Sequence, residues 1–462
     1  MSASITAELK RRNPLITAAA AKTLHRIKEH PHAPRFNGAL GDRLVRADLA
    51  ALDRLREGLA SGRRARTGNS PAPEVIALLA AAIPRVERFR RTVPRGHDLA
   101  KDWASVATTS REDLAFSIHE LIPDDADFAR LIVHPTSGTT GHAVFVPHHP
   151  VAGSAYLPLF EVALASHGVR LAPGAADVGT VQVHAQSFTL TYATVHAAWG
   201  NSGYAKVNLK EADWPKPESR SRWLEAMAPL TMTGNPSAYA ELLDLAPKFS
   251  PKAFFSTAFA LAPALAKKLS ARYRAPVIDW YSSIETGPIA YTCPRGEFHV
   301  LPHDLHVEVV DAKGLPLPAG KFGEICVSGG RNPFLPMLRY RTGDRARLET
   351  KRCPCGDPMP RLLDLEGRAA VRLRAADGSP VASVDVSRAL RDFAIAQHAL
   401  LQRAGGAVEL DLRPLPGWSL DTGRVERAVR GVFGAKTKLR IRLVQKISGP
   451  GVKVAAFRSE LR

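Results

Sequence analysis

The chain has 462 residues, 45% of them hydrophobic and 23% charged, which is typical of a globular protein with room for two or three domains. No run approaches 18 consecutive apolar residues, so we expect no membrane-spanning helix. The basic N-terminus has only short apolar stretches and favours an amphipathic helix over a secretory signal, so a cytoplasmic protein is expected.

The chain is strongly basic, with 63 lysines and arginines against 44 acidic residues and a formal net charge of +19. Such a charge attracts phosphates, acidic carrier proteins or nucleic acid. The basic residues are scattered and no nucleic-acid motif is present, so we favour a solvated basic surface and expect no nucleic-acid partner. A polyanion-binding protein remains an alternative.

Apolar periodicity predicts an α/β protein with a small C-terminal domain. Residues 1–110 have helical spacing, alternating strand and helix signals then run to about residue 290, and residues 296–365 are rich in short strands and turns. The last segment, residues 367–462, predicts a separate α+β domain. Its strand-like stretches are 407–415 and 438–447, and its helical stretches are 382–400 and 421–433.

A Gly-, Ser- and Thr-rich loop is the sharpest local signal. It consists of Thr136, Ser137, Gly138, Thr139, Thr140 and Gly141. The glycines let the backbone approach an anion, and the hydroxyls add hydrogen-bond donors. No Gly-Lys-Ser/Thr follows, so it is not a Walker loop, and such a run alone is more often a hairpin turn.

Two further blocks lie downstream. In the first, residues 279–287, a strand ends with Tyr281 and Glu285, which can stack on a base and ligate a cation. In the second, residues 339–344, Asp344 stands in a turn where it can accept hydrogen bonds from ribose hydroxyls. Taken separately, Tyr281 and Asp344 read most simply as a core aromatic and a turn residue.

In this order and spacing, the three blocks resemble the acyl-adenylate-forming superfamily, most closely its phenylacetate–CoA ligase branch, over roughly residues 30–462. The resemblance implies ATP-dependent activation of a carboxylic acid to an acyl-adenylate, followed by transfer to an acceptor. It implies a large multi-subdomain N-terminal adenylation domain, residues 1–366, that holds the ATP, acid and zinc sites. A small mobile C-terminal lid domain, residues 367–462, would begin at the hinge Gly367-Arg368.

The resemblance also implies roles for single residues. The 136–141 loop would wrap the ATP phosphates, Tyr281 and Ser282 would bind adenine, Asp344 the ribose and Glu285 Mg²⁺, with Arg368 at the hinge. Lys453 would contact the carboxylate and α-phosphate during adenylation, and Lys446 is a weaker rival.

Candidates for the acid pocket are polar or aromatic: His184, Phe188, Trp199, Tyr204, Asn235 and Ser283. Each is also compatible with ordinary core packing. Aromatic walls favour an aryl acid, whereas amino acids and other small polar acids remain open. The acceptor would be coenzyme A, an acidic carrier protein or an amine, and relatives suggest a homodimer.

A second candidate site contains cysteine and histidine. Cys293, His299, Cys353 and Cys355 can complete a closed tetrahedral structural zinc site, of a kind that the resemblance also implies. The alternative is four unrelated buried residues. Cys326 lies in an apolar strand and is expected in the core.

Four positions, in three segments, depart from the superfamily pattern. His142 replaces the usual lysine after the loop, Ser282 and Ile284 alter the adenine motif, and Phe259 stands where relatives commonly have a glutamate. These changes indicate either a specialised enzyme or a catalytically silent nucleotide-binding relative. Because Glu285, Asp344 and Lys453 are retained, we favour the active enzyme.

Overall fold

The computed structural model describes residues 5–61, 71–135, 144–186, 189–302, 304–367, 373–381, 383–390, 392–415, 417–445, 447 and 457–461. The helices are α1 (Ala7–Arg12), α2 (Ala18–Glu29), α3 (Arg46–Ala60), α4 (Pro73–Ala82), α5 (Glu87–Thr92), α6 (Arg111–Phe116), α7 (Pro150–Ser154), α8 (Tyr156–Ser166), α9 (Ser219–Met227), α10 (Pro236–Leu245), α11 (Pro263–Tyr273), α12 (Ser383–Leu390) and α13 (Thr422–Phe433). Within this part of the chain no helix is long and apolar enough to cross a bilayer.

The strands of the large domain are β1 (Ile132–Pro135), β2 (Phe145–His148), β3 (Val178–His184), β4 (Tyr192–His196), β5 (Ser202–Asn208), β6 (Thr231–Gly234), β7 (Ala253–Ser256), β8 (Val277–Ser283), β9 (Gly287–Thr292), β10 (Phe298–Val300), β11 (Leu305–Val310), β12 (Phe322–Gly329), β13 (Met337–Glu349) and β14 (Arg361–Glu366). The remaining strands are β15 (Leu373–Arg374), β16 (Pro380–Val381), β17 (Ile395–Gln402), β18 (Val408–Pro414), β19 (Leu439–Leu443) and β20 (Phe457–Ser459).

A twelve-stranded sheet organises the large domain, in the order β11-β12-β13-β14-β10-β9-β8-β7-β6-β3-β5-β4. Strands β5, β3, β6, β7 and β8 are parallel, whereas β8 through β11 pair antiparallel. The parallel half carries helices, as βαβ crossovers require. Ligands of such sheets bind at the carboxyl ends of the parallel strands.

Helix α2 shows how the sequence builds this packing. The Thr17 side chain caps its N-terminus by accepting a hydrogen bond from the Ala20 N–H, 3.2 Å away. Leu24 and Ile27 lie on its buried face. Gly203 of β5 permits close approach, because a Cβ there would lie 2.7 Å from the Ile27 Cδ1.

The smaller C-terminal domain has its own core. Val425, Val429 and Phe433, spaced by four residues on α13, are fully buried against the sheet β19-β18-β17-β20. The prediction of a helix over 382–400 is wrong in its second half, since residues 395–402 form β17. This strand pairs with β18 and β20, so tertiary pairing outweighs the helical preference of an alanine-rich segment.

The two domains are in contact. Arg413 Nη2 lies 3.2 Å from Asp244 Oδ2, and Ala396 and Leu415 join the apolar core beneath the parallel strands. The α/β fold with a large sheet-rich domain and a smaller C-terminal domain confirms the fold class predicted from the sequence.

Candidate active site

Two of the predicted nucleotide blocks meet at the carboxyl end of β8. The Tyr281 hydroxyl donates a hydrogen bond to Asp344 Oδ2 at 2.9 Å, and the Tyr340 hydroxyl donates to Glu285 Oε1 at 2.8 Å. Strands β8 and β13 are separated by β9, β10 and β14 in the sheet, so the sheet curls to bring them together. Tyr281, Glu285 and Asp344 therefore share one site.

Glu285 is a buried carboxylate held between a cation and a hydroxyl. It is 3% exposed, and Arg111 Nη1 lies 3.3 Å from the same Oε1 that accepts from Tyr340. Arg111 is the first residue of α6, which Ser110 caps by accepting from the Asp113 N–H. Such charge-assisted bonds fix the carboxylate in one orientation.

The strands that flank the Gly/Ser/Thr loop reach the same place. Antiparallel β1 and β2 precede and follow it, and His148 Nε2 of β2 donates to the Ile284 carbonyl oxygen at 2.9 Å. Burial lowers the pKa of His148 to about 4, so its ring is neutral at pH 7. The loop residues 136–141 themselves, together with His142, lie outside the described residues.

A second group of polar side chains surrounds Ser282. The half-buried Tyr156 of α8 lies beside Ser282, and burial raises the pKa of Tyr156 to about 12. Arg331 lies nearby, where burial lowers the pKa of its guanidinium to about 10, and Nη2 donates to the Pro302 carbonyl at 3.2 Å. Tyr156 is therefore a neutral hydroxyl beside the adenine motif.

The structure describes the environment of two positions that depart from the superfamily pattern, Ile284 and Phe259. The Ile284 side chain packs against the buried cluster that contains Leu114 and Tyr340, so an apolar residue at this position serves the core. Beyond β7, Ala258 has φ 75°, a left-handed conformation that is uncommon for alanine and lies next to Phe259.

Three acid-pocket candidates lie at the carboxyl edge of the parallel strands. His184 ends β3, Asn235 follows β6, and Ser283 ends β8. Asn235 Oδ1 already caps α10 by accepting from the Ala238 N–H at 2.8 Å, and the Ser283 hydroxyl lies 2.9 Å from that of Thr286. Both side chains thus have local structural roles.

The other candidates are dispersed. Tyr204 lies on the sheet face of β5, where its hydroxyl donates to Gln182 Oε1. Trp199 packs in an apolar cluster with α3, as a core residue does. Phe188, Arg368, Lys446 and Lys453 lie outside the described residues.

The predicted metal ligands come together in one cluster. One ligand atom from each of Cys293, His299, Cys353 and Cys355 lies within 4.8 Å of the others, and Cys355 Sγ is 3.4 Å from His299 Nε2. Two turns present the cysteines, with the Gly296 N–H bonded to the Cys293 carbonyl and the Gly356 N–H to that of Cys353. Cys326 is fully buried elsewhere.

Four residues that contact the site were not predicted from the sequence. Tyr340 stands inside the 339–344 block, so its proximity to the motif was available as a signal. Arg111, His148 and Tyr156 lie 174, 136 and 126 residues from their partners, and no local pattern marks them.

Comparison with known proteins gives a family match and two structures of similar fold. The family model described as AMP-binding enzyme matches residues 80–333, more than half of the chain. Among solved structures, 2-hydroxyisobutyryl-CoA ligase in the postadenylation state with R3-HIB-AMP aligns at 18% identity and a TM-score of 0.59, covering 92% of this chain and 91% of that chain. An open conformation of that ligase with 2-HIB-AMP and CoA aligns at 19% identity and a TM-score of 0.51, covering 89% and 91%.

Proposed function

Because the chain belongs to the AMP-binding enzyme family, within the acyl-adenylate-forming superfamily, we propose that it activates a carboxylic acid with ATP and releases pyrophosphate. The observation that carries this proposal is the double contact between the 281–285 and 340–344 segments. It gathers an aromatic ring and two carboxylates around one point, beside the strands that flank the 136–141 loop, and this supports the roles proposed below.

Each residue then has a separate role in binding or in the reaction. The Tyr281 ring packs on adenine while its hydroxyl orients Asp344, which accepts hydrogen bonds from the ribose. The backbone of the 136–141 loop binds the phosphates. Lys453 brings a positive charge to the carboxylate and α-phosphate, whose mutual repulsion opposes the attack. Positioning of the two reactants supplies much of the remaining acceleration.

The residues present fit a magnesium ion bound with ATP. Magnesium prefers carboxylate oxygens and phosphates, and the carboxylate of Glu285 is oriented through Oε1 by Tyr340 and Arg111. When bound, the ion supplies charge neutralisation at the phosphates. Arg111 adds a second cation at the same place and is a further candidate for contact with pyrophosphate.

Coenzyme A is the acceptor we favour, and an aryl acid the substrate. The aligned ligase structure contains CoA together with its acyl-AMP, and the +19 charge of this chain suits the phosphates of CoA. An acidic carrier protein or an amine would accept the same acyl-adenylate. We place the domain boundary at 366/367, where rotation about Gly367-Arg368 would let the C-terminal lid close separately for each half-reaction.

Acid-dependent exchange of labelled pyrophosphate into ATP tests the proposal. Wild-type protein should show exchange with at least one acid of a panel of aryl, aliphatic and amino acids, and none without acid. ATP binding without exchange across the whole panel would indicate the silent nucleotide-binding alternative. The acceptor is then identified by trapping the acyl product with CoA, a carrier protein or hydroxylamine.

The cysteine and histidine cluster is proposed to hold a structural zinc ion. Tetrahedral zinc with Zn–S bonds of 2.3 Å places neighbouring sulfurs about 3.8 Å apart, which the compact cluster matches. His299 Nδ1 is bonded to the Met359 carbonyl at 3.0 Å, which turns Nε2 toward the cysteines. The ion would join the β9–β10 and β13–β14 hairpins, away from the reacting groups.

A further inference from the structure

At strands β3, β5 and β4, the face of the sheet opposite the apolar core carries polar side chains. Ala205 and Val207 of β5 are buried in the core cluster that contains α10 and α11. Successive side chains of a strand point to opposite faces, so Tyr204 and Lys206 point away from that core. A lysine in this position requires a physical reason, because β5 is an inner strand that pairs with β3 on one side and with the edge strand β4 on the other.

The strand register shows what surrounds Lys206. It is aligned with Gln182 on β3 and lies directly opposite Tyr192 on β4. Tyr204 donates to Gln182 Oε1, its ring centroid is 5.7 Å from that of Tyr192, and it stacks on His196 at 4.7 Å. We call Gln182, Tyr192, His196, Tyr204 and Lys206 the polar recess.

The charge of Lys206 is not balanced by a carboxylate in the described part of the chain. Burial is the cause that lowers the pKa of Lys206, with no acidic side chain raising it. Burial lowers the pKa of His196 to about 4, so that ring is neutral at pH 7. Lys206 is half-buried, and an ammonium partly removed from water without a counter-ion is unfavourable, which is a reason to expect an anion from outside the chain.

The polar recess leads to the candidate active site through two histidines. After burial, the charge of Lys206 is the second cause that lowers the pKa of His134, so the two groups are near each other. The His134 ring lies 4.9 Å from that of His148, which donates to the Ile284 carbonyl. Lys206 stands two residues before the end of β5, hence about 7 Å below the carboxyl edge of the sheet.

We infer that the polar recess binds the second carboxylate of a dicarboxylic acid, whose first carboxylate is the one adenylated. This inference rests on the proposed function and specifies its substrate class. Lys206 and the Tyr192 hydroxyl donate to the distal carboxylate. The depth of about 7 Å and the aromatic walls suit a rigid aryl spacer. An acid with a single carboxylate leaves the half-buried ammonium without an anionic partner.

Two matched ligand pairs test the inference: terephthalate and adipate, each against its own mono-amide, which has nearly the same shape without the second charge. Equilibrium binding is measured by calorimetry for wild type, Lys206→Met and the exposed-lysine control Lys321→Met. Wild type and the control should prefer one diacid over its mono-amide by about 10- to 100-fold, as a charged hydrogen bond implies. Lys206→Met should lose this preference while its thermal unfolding stays close to that of the control.

The same comparison in the pyrophosphate exchange assay separates the two proposals. If no acid supports exchange but diacid binding depends on Lys206, the proposed function is wrong and the recess assignment stands. If mono-amides bind as tightly as diacids to wild type, or if Lys206→Met keeps the preference, the recess assignment is overturned. Pyrophosphate exchange with acids that lack a second carboxylate would then still support adenylation. Should Lys206→Met fail to fold, Lys206→Gln replaces it under the same criteria.

Discussion

Replacement of Tyr340 by phenylalanine tests whether Glu285 acts on magnesium-bound ATP. The change removes one buried hydroxyl, which donates to Glu285 Oε1 at 2.8 Å, and keeps the ring that packs in the adjacent core. A hydrogen bond to a charged group contributes about 1.5–3 kcal/mol. Without this hydrogen bond, Arg111 still contacts Oε1, so we expect the carboxylate to turn toward the guanidinium and away from the ion.

This free energy corresponds to about a 10- to 100-fold effect. We therefore expect the Mg²⁺ concentration for half-maximal pyrophosphate exchange to rise, or the exchange rate at saturating Mg²⁺ to fall, by that factor. Tyr239→Phe is the matched control, because its buried hydroxyl donates to the Phe255 carbonyl at 2.6 Å in the core of the same domain. An unchanged Mg²⁺ titration in folded Tyr340→Phe, or an equal change in Tyr239→Phe, would refute the reasoning.

Three other changes have definite expected outcomes. Cys355→Ala should reduce zinc in the purified protein from near one equivalent to below half and lower the melting temperature. The control Cys326→Ala should retain the metal. Equal zinc in both variants would contradict the proposed site. Lys453→Ala should reduce acid-dependent exchange by about 100-fold or more while ATP still binds, and a rate close to wild type would remove this lysine from the mechanism. Burial raises the pKa of Asp279 to about 7, so ionisation of this carboxyl destabilises the fold as pH rises from about 4 to 7. The melting temperature of Asp279→Asn should therefore exceed that of wild type at pH 8 but not at pH 4. A difference that does not depend on pH would contradict this.

Local pattern predicted much of the fold and part of the site. Blocks 279–287 and 339–344 could be recognised in the sequence because each is a contiguous turn at the end of a strand. That the two blocks lie close together in space was predicted from the resemblance. The four members of the cysteine and histidine cluster were likewise grouped from the sequence, although 54 residues separate His299 from Cys353.

What the sequence could not supply is tertiary placement. Arg111 reaches Glu285 from a helix 174 residues earlier, and Lys206 gains its significance only from the register that sets it between Gln182 and Tyr192. In the sequence it is one of 63 basic residues. The helix predicted over the segment 395–402 was wrong because helical preference is a local property, whereas strand pairing with β18 and β20 depends on distant residues.

A crystal structure of the protein with ATP or AMP bound measures the central claim most directly. We expect the adenine ring against the Tyr281 ring, the ribose hydroxyls within hydrogen-bond distance of Asp344, and the phosphates between Glu285 and the 136–141 loop. A nucleotide bound elsewhere, or packed side chains filling the space between Glu285 and Asp344, would contradict the proposed chemistry.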